Sequence, residues 1–295
     1  MAEVLISCPQ EKGEILENLL KAQGFESCLM PVMTYGLVKN INWIQQQISL
    51  IKPEDHLIFI SPQSVKSFFN LLENFDLNFD LNFKFNTQPI YAIGAGTAAC
   101  IKNYFKNNLK KPIIYPTEIG QVNAAGLWDL IKNKIWAGQK VFIIRGQGGN
   151  DFLAEQLKNA GAQIVFLETY VRECVSKCVS ECLEFDQALL WPASQGLNQN
   201  KNQNLKLVLL TSLEMTEYFF RILNQLKELK KLDSDFSFFI QSLVFTSVSE
   251  KNSAYLKTQG VQKILLLEHL GALEIANQVS KFLRKEDREK RKNHE

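Results

Sequence analysis

Short hydrophobic runs alternate along this chain with longer segments of helical periodicity. The clearest example spans residues 140–172. There, residues 140–144 form a β-branched and aromatic run, a glycine-rich turn follows, and the next segment carries apolar residues on one helical face between Asn150 and Gly161. A second apolar run covers residues 164–167. The pattern predicts strand, loop, helix and parallel strand, with the loop and the helix start at the carboxyl edge of a sheet.

The same pattern recurs near the start of the chain. Two leucines and a helix-ending glycine repeat at one constant offset, as Leu16, Leu20 and Gly24 against Leu153, Leu157 and Gly161. This approximate duplication predicts five strands in each half. The predicted strands are residues 4–7, 26–31, 57–61, 90–93 and 113–116, then 140–144, 163–168, 207–211, 243–247 and 263–267. Strands that alternate with helices indicate an α/β protein with parallel sheets covered on both faces.

Composition places the chain among globular proteins of about two domains. It has 295 residues, 46% of them hydrophobic and 22% charged, with a formal net charge of +2. So small a charge does not favour nucleic acid or an anionic membrane surface as a partner, and no apolar run approaches the length of a membrane span. We therefore expect a soluble, cytoplasmic protein. Cys174, Cys178 and Cys182 recur every fourth residue, but without a nearby histidine they favour structural cysteines over a metal site.

Two kinds of helix start carry candidate chemistry. Ser61 and Ser212 each follow a predicted strand, where a serine is first of all an N-cap, and a helix start can in addition bind a carboxylate. The sequence Gly94-x-Gly96-x-x-Ala99 follows another strand and leaves three interpretations open. It could bind a dinucleotide, with Glu118 as the acid, or allow tight packing only, or bind a carboxylate through backbone N–H groups and Thr97.

Several segments together resemble the uroporphyrinogen-III synthase family. They occur in the family's order as IFISPQSV (58–65), YAIGAGTA (91–98), YPTEIG (115–120), an RG turn and T-Y-x-R at 145–172, LLTS (209–212) and SEKNSAYLKTQG (249–260). The resemblance implies two similar doubly wound parallel-sheet lobes, flavodoxin- or Rossmann-like, with a cleft between them. The implied division is residues 1–33 with 173–283, and 38–168. Segments 30–38 and 167–173 would be extended connectors, and 284–295 a charged tail.

The resemblance also implies an activity. The family cyclises hydroxymethylbilane, a linear tetrapyrrole polycarboxylate, with loss of water and inversion of the last pyrrole ring, and needs no cofactor or metal. Tyr170, which looks exposed at the end of its strand, is the implied catalytic residue. The implied substrate-binding residues are Ser61, Pro62, Gln63, Gly94, Ala95, Gly96, Thr97, Gly146, Gln147, Gly148, Gly149 and Ser212. We expect a monomer.

The chain departs from the family pattern at two places. Ser7-Cys8-Pro9 stands where the family often has T-R-P, so an arginine contact to an anion is missing there, and Asn252 stands where a threonine is common. Two other functions stay open at this point: a two-lobed protein that binds a tetrapyrrole or small anion without converting it, and a nicotinamide-dependent oxidoreductase.

Overall fold

The computed structural model describes residues 3–74, 85–106, 108–118, 121–175, 205–228 and 240–292. The chain divides into two compact units. Unit 1 combines Met1–Thr34 with Glu173–Glu295, and unit 2 is the continuous segment Tyr35–Arg172. Of the three regularly spaced cysteines, Cys174 is described, whereas Cys178 and Cys182 lie outside the described residues. The prediction about their spacing is therefore not tested.

The described residues contain ten strands and nine helices of eight or more residues. The strands are β1 (Val4–Ile6), β2 (Ser27–Leu29), β3 (Met33–Gly36), β4 (His56–Phe59), β5 (Ile90–Ala92), β6 (Lys140–Gly146), β7 (Gln163–Cys174), β8 (Leu207–Leu209), β9 (Val244–Ser247) and β10 (Lys263–Leu266). The helices are α1 (Gln10–Ala22), α2 (Ile41–Ser49), α3 (Pro62–Asn74), α4 (Ala95–Tyr104), α5 (Ala124–Ile131), α6 (Phe152–Asn159), α7 (Leu213–Glu228), α8 (Glu250–Thr258) and α9 (Ala272–Lys292).

Unit 2 contains a five-stranded sheet in the order β3-β7-β6-β4-β5. The pairs β4–β5, β4–β6 and β6–β7 are parallel. Because successive side chains point to opposite faces, Leu57 and Phe59 of β4 pack in one core with residues of α2, α3 and α4, whereas Ile58 packs in another with residues of α5 and α6. Helices therefore cover both faces of the sheet, which confirms the predicted doubly wound arrangement for this unit.

Unit 1 contains the second five-stranded sheet, in the order β10-β9-β8-β1-β2. Its four strand pairs are all parallel. Val4, Leu5 and Ile6 of β1 are fully buried, as expected for a central parallel strand that is covered on both faces. Gly24 and Gly161 have φ of +87° and +92°, so each duplicated helix ends in the left-handed residue that the sequence predicts.

One predicted strand is not formed as a strand, and the structure adds detail to the connectors and the tail. Segment 113–116 forms only a single bridge, between Ile114 and Tyr91. Both predicted connectors contain strand, since β3 lies within residues 30–38 and β7 continues to Cys174. Helix α9 extends to Lys292 through most of the predicted tail, and Asp287 on it forms an ion pair with Lys206. Asp287 therefore ties this part of α9 to the rest of unit 1.

Candidate active site

The strand order of unit 2 defines where a ligand is most favourably held. From β4 the chain goes to its neighbour β5 on one side, and then to β6 on the other. The carboxyl ends of β4 and β6 are thus a topological switch point, where the loops diverge and leave a crevice. Ser61 follows β4, and Gly146 ends β6. Two of the predicted site residues are therefore brought together at this edge.

Tyr170 reaches the same point from β7. Its hydroxyl oxygen lies 3.2 Å from Ser61 Oγ. Its ring lies over Gly146, where an added Cβ would come within 2.6 Å of ring carbons. The ring of Tyr35 meets it edge-on, with centroids 5.3 Å apart. Glycine at position 146 is therefore required for the tyrosine ring to lie across the end of β6.

The position of Tyr170 corrects the prediction of an exposed residue at a strand end. The side chain is only 6% exposed, and the residue lies inside β7, opposite Gly146. A register shift occurs just before it, because Arg145 pairs with Glu168 and Gly146 pairs with Tyr170. Thr169 is the extra residue of this bulge, and its hydroxyl lies 2.6 Å from that of Ser67 on α3. The bulge thus re-aims Tyr170 towards the switch point.

Ser61 is the N-cap of α3, as its sequence position predicts. Ser61 Oγ accepts a hydrogen bond of 3.0 Å from the backbone N–H of Ser64, and the Ser61 N–H donates back to Ser64 Oγ. Pro62 has no N–H, so Gln63 supplies the one backbone donor of this first turn that lacks an acceptor within the helix. Ser64 completes this reciprocal cap, and the prediction did not include it. The start of α3 can thus offer one backbone donor to an anion.

Arg145 organises the turn after β6, which we call the glycine turn (residues 146–149). Its guanidinium is nearly buried, stacks on the ring of Phe166, and pairs with the carboxylates of Asp151 and Glu168. It also donates to the carbonyl oxygen of Gly149 at 3.3 Å. These bonds hold both ends of the turn. Arg172 also lies on this turn, so two carboxylates face two guanidinium groups and the formal charges balance.

Some backbone N–H and C=O groups of the glycine turn already form hydrogen bonds within the protein. The Gln147 N–H donates to the Tyr170 carbonyl at 2.9 Å, and Arg172 donates to the Gln147 carbonyl. Gly148 has φ of +70°, a conformation that favours glycine. Helix α6 has Asp151 as its N-cap. Asn150, the good N-cap residue from which the sequence predicts this helix to begin, lies one position earlier, and its side chain accepts from the Phe152 N–H.

The segment from Gly94 to Thr97 lies at the end of β5, one of the two edge strands of its sheet. A Cβ at Gly94 would overlap the side chain of Val122, so close packing explains this glycine. Around Gly96 there is open space, and Ala95 beside it is exposed, whereas Thr97 is buried. Glu118 lies beyond the single bridge at Ile114. Because the switch point is at β4 and β6, this motif does not lie where a dinucleotide fingerprint would.

The amino edge of the same sheet carries a half-buried polar cluster that the sequence did not indicate. His56 Nδ1 lies 3.0 Å from the Tyr91 hydroxyl and Nε2 lies 3.3 Å from Gln139 Oε1, while Trp136 packs against the imidazole. Burial lowers the pKa of His56, opposed by the Gln139 contact, and burial raises the pKa of Tyr91 to about 12. This cluster lies at the opposite edge of the sheet from Tyr170, and we assign it a structural role.

Unit 1 has an equivalent switch point between β1 and β8. Ser212 is the N-cap of α7, since its Oγ accepts from the Met215 N–H at 3.1 Å, in the same way that Ser61 caps α3. The two serines therefore have equivalent local structures in the two units.

No group of three His, Cys, Asp or Glu residues in the described ranges could hold a metal ion. Within those ranges, no helix is long and apolar enough to cross a bilayer.

The fold and this site together define a class: an α/β protein of two parallel-sheet units, with capped helix starts and a hydroxyl cluster at sheet carboxyl edges. Its family follows from comparison. A family model described as uroporphyrinogen-III synthase HemD matches residues 14–270, so this chain belongs to the uroporphyrinogen-III synthase family.

Individual relatives agree with this assignment, and solved structures agree with the fold. The uroporphyrinogen-III synthase of Escherichia coli is 24% identical over 225 residues, which are 75% of this chain and 80% of that protein. That of Proteus mirabilis is 27% identical, over 57% of this chain and 79% of its own. A solved structure of a mutant uroporphyrinogen III synthase from Thermus thermophilus matches 98% of this chain and 100% of its own, with a TM-score of 0.56 at 15% identity. The Helicobacter pylori enzyme matches 96% of this chain and 100% of its own, with a TM-score of 0.55, also at 15% identity.

Proposed function

We propose that this chain cyclises hydroxymethylbilane to uroporphyrinogen III, acting as a lyase in tetrapyrrole biosynthesis. The observation that carries the proposal is the family match over residues 14–270. The relatives that bear the name uroporphyrinogen-III synthase support it. The reaction removes the terminal hydroxyl of the linear substrate as water, inverts the last pyrrole ring and closes the macrocycle. Without a catalyst the substrate closes with no inversion, so the protein's task is mainly orientation, with assistance from an acid.

Tyr170 is the acid in this proposal. Ser61 Oγ already accepts a hydrogen bond from the Ser64 N–H. If the Ser61 hydroxyl donates its own proton to the Tyr170 oxygen, the phenol proton is free to be given to the departing hydroxyl of the substrate. The low exposure of Tyr170 supports this role, because a donor shielded from water interacts more strongly with a developing charge.

Substrate carboxylates are assigned to the helix starts. In unit 2 these are the first turns of α3, with Pro62 and Gln63, and of α4, with Gly94, Ala95, Gly96 and Thr97. In unit 1 it is the first turn of α7, with Ser212 as its cap. Free N–H groups and the positive end of the helix dipole suit an anion at each of them. The net charge of only +2 is consistent with recognition by local donors.

The sequence predicts that the glycine turn binds an anion, but in this proposal the turn has a different role. Its formal charges balance, and Arg145 is already paired with two carboxylates, so the turn has no excess positive charge for a carboxylate of the substrate. Gly146 instead leaves room for the Tyr170 ring. The Gln147 N–H bonds the turn to β7, and Arg145 holds Gly149, with Gly148 between them. In this proposal the turn positions the acid and does not bind the substrate's charge.

The deciding experiment adds purified protein to freshly generated hydroxymethylbilane and measures the ratio of type III to type I product. Mostly type III product is expected. Product of type I alone, at the uncatalysed rate, would refute the proposal. Binding of the tetrapyrrole without conversion would instead identify a non-catalytic binding protein, and tight binding of NADPH would favour an oxidoreductase.

The remaining predictions are part of the same proposal. The division of the chain at Thr34/Tyr35 and at Arg172/Glu173 supports residues 30–38 and 167–173 as the segments that link the units. A cytoplasmic monomer that works without a cofactor is proposed as well. Sedimentation analysis of the purified protein tests the oligomeric state, and activity after exhaustive dialysis against a chelator tests the need for a metal.

A further inference from the structure

A lysine lies at the switch point of unit 1, where the sequence analysis placed no cation. Strand β1 is followed by Ser7 and Cys8 and then by α1, and Lys12 is in the first turn of that helix. Lys12 Nζ lies 3.4 Å from the hydroxyl oxygen of Thr211, which follows β8. The lysine therefore lies between the ends of β1 and β8, beside the starts of both α1 and α7.

The charge of Lys12 is uncompensated among the described residues. Its side chain is partly buried, and in that part of the chain it forms no ion pair; the Thr211 contact is its one hydrogen bond. At 3.4 Å that bond is weak, and an ammonium group has three donors, so most of its donor capacity is unused. Burial lowers the pKa of Lys12, opposed only by the nearby Cys8 thiol. A partly buried cation without a carboxylate is unfavourable unless an anion binds to it.

Two further groups at this point lack partners. The hydroxyl of Ser7 is fully buried and has no hydrogen-bond partner among the described residues. Helix α1 begins after Pro9 with no side-chain cap, so the N–H groups of its first turn are not satisfied in that way. Unpaired buried polar groups are rare in native proteins and call for a partner. A small anion would satisfy the lysine and the helix start together.

We propose that Lys12 and Thr211, with Cys8 beside them, form a carboxylate subsite, the Lys12 site, which binds one acetate or propionate group of the polycarboxylate substrate. The inference rests on the proposed function and extends it, since it assigns a cationic contact to unit 1. The carboxylate oxygens accept from Lys12 Nζ, and the Thr211 hydroxyl lies within reach beside it. Cys8 lines the site as a neutral thiol, because burial raises its pKa.

Binding and turnover should respond differently to the loss of this contact. Lys12→Met keeps the length of the side chain and removes its charge. We expect KM for hydroxymethylbilane to rise roughly tenfold or more with kcat nearly unchanged, because the lost contact is the same in ground and transition states. Lys12→Arg should restore most of the affinity. Lys21→Met, an exposed lysine in the last turn of the same helix, is the matched control and should leave KM unchanged. An unaltered KM in Lys12→Met would overturn the proposal.

A second measurement tests the site independently of catalysis. Lysine side chains labelled by reductive ¹³C-methylation are titrated by NMR with and without a pyrrole that carries one acetate and one propionate group. We expect the Lys12 resonance to titrate at a higher pH when this probe is bound, because an anion favours the charged amine. A Lys12 signal that does not respond to saturating probe would overturn the site. If the protein made no type III product yet Lys12 responded, the proposed function would fail and the carboxylate site would stand.

Discussion

The hydroxyl groups of Tyr170 and Ser61 lie 3.2 Å apart, although 109 residues separate them in the chain. Tyr170 approaches from β7 across Gly146, and Ser61 begins α3. Both side chains are also held by other contacts. Ser61 Oγ accepts from the Ser64 N–H, and the Tyr170 ring lies against Gly146. A phenol held in this way loses little freedom when a substrate binds, so its proton is oriented before the reaction begins.

Removing the phenol hydroxyl should slow turnover without stopping it. Tyr170→Phe is expected to lower kcat by about 10²-fold, at the low end of what general acids contribute, because orientation of the substrate persists. The measurement is the rate of type III product formation in a coupled porphyrin assay. Tyr255→Phe removes a half-buried phenol hydroxyl in unit 1 and should retain full turnover. Full activity of Tyr170→Phe would exclude Tyr170 from the mechanism.

Gly146→Ala should disturb the position of Tyr170 directly. The new Cβ would lie 2.6 Å from the ring, so the ring must move. We expect kcat to fall on the order of 10²-fold, because a shift of about 1 Å in a catalytic group has effects of that size. In the double variant Gly146→Ala/Tyr170→Phe, the loss of transition-state stabilisation should be smaller than the sum of the losses in the two single variants. Gly138→Ala, with φ of +77° and open space around it, controls for stability: it should unfold more easily but keep its kcat. Full additivity would argue against a shared mechanism.

A comparison of the equivalent N-caps Ser61 and Ser212 distinguishes the structural role of Ser61 from its catalytic role. Ser61→Ala and Ser212→Ala each remove an N-cap, and each should lower the free energy of unfolding by about 1 kcal/mol. Ser61→Ala alone should also lower kcat, roughly tenfold, because Tyr170 loses its partner. Ser212→Ala should affect KM only. Urea unfolding and steady-state kinetics of both variants provide the comparison. Equal kcat values would contradict the proposed role of the Ser61–Tyr170 hydrogen bond in turnover.

His56 predicts a pH dependence of stability that is independent of function. Its pKa is lowered in the folded protein by burial, so the folded state disfavours the charged imidazole. The stabilisation is present in full above the unfolded pKa of about 6.5, and it is lost as the pH falls through the lower folded value. Urea unfolding at several pH values between 7.5 and 5 should therefore show a smaller decrease for His56→Gln than for the wild type. His269→Gln, at an exposed position, is the control. Identical pH slopes for all three proteins would contradict this assignment.

Local signals made part of the site predictable from the sequence. N-cap serines and helix-ending glycines depend on residues within one turn, so Ser61, Ser212, Gly24 and Gly161 were identified correctly as caps. The burial of Tyr170 was not predicted, because it depends on a register shift between β6 and β7 that no local pattern records. Likewise, Lys12 meets Thr211 across 199 residues of sequence, and only the sheet order brings them together. The β3 strand was missed because a short edge segment lacks a clear alternation.

The order in which the units can form during synthesis follows from the place of β1. Unit 2 is one continuous segment, Tyr35–Arg172, whereas β1 pairs with both β2 and β8, so that Leu5 lies between Cys28 and Val208. Because a nascent chain emerges from its first residue onwards, the central strand of unit 1 must wait for β8 with one apolar edge unpaired. The test uses ribosome-bound chains that are stalled once residue 172 has left the exit tunnel. In these chains unit 2 should resist protease, whereas β1 should remain accessible to it. Unit 2 would then be the first to fold, and the unpaired β1 would be the segment most dependent on a chaperone.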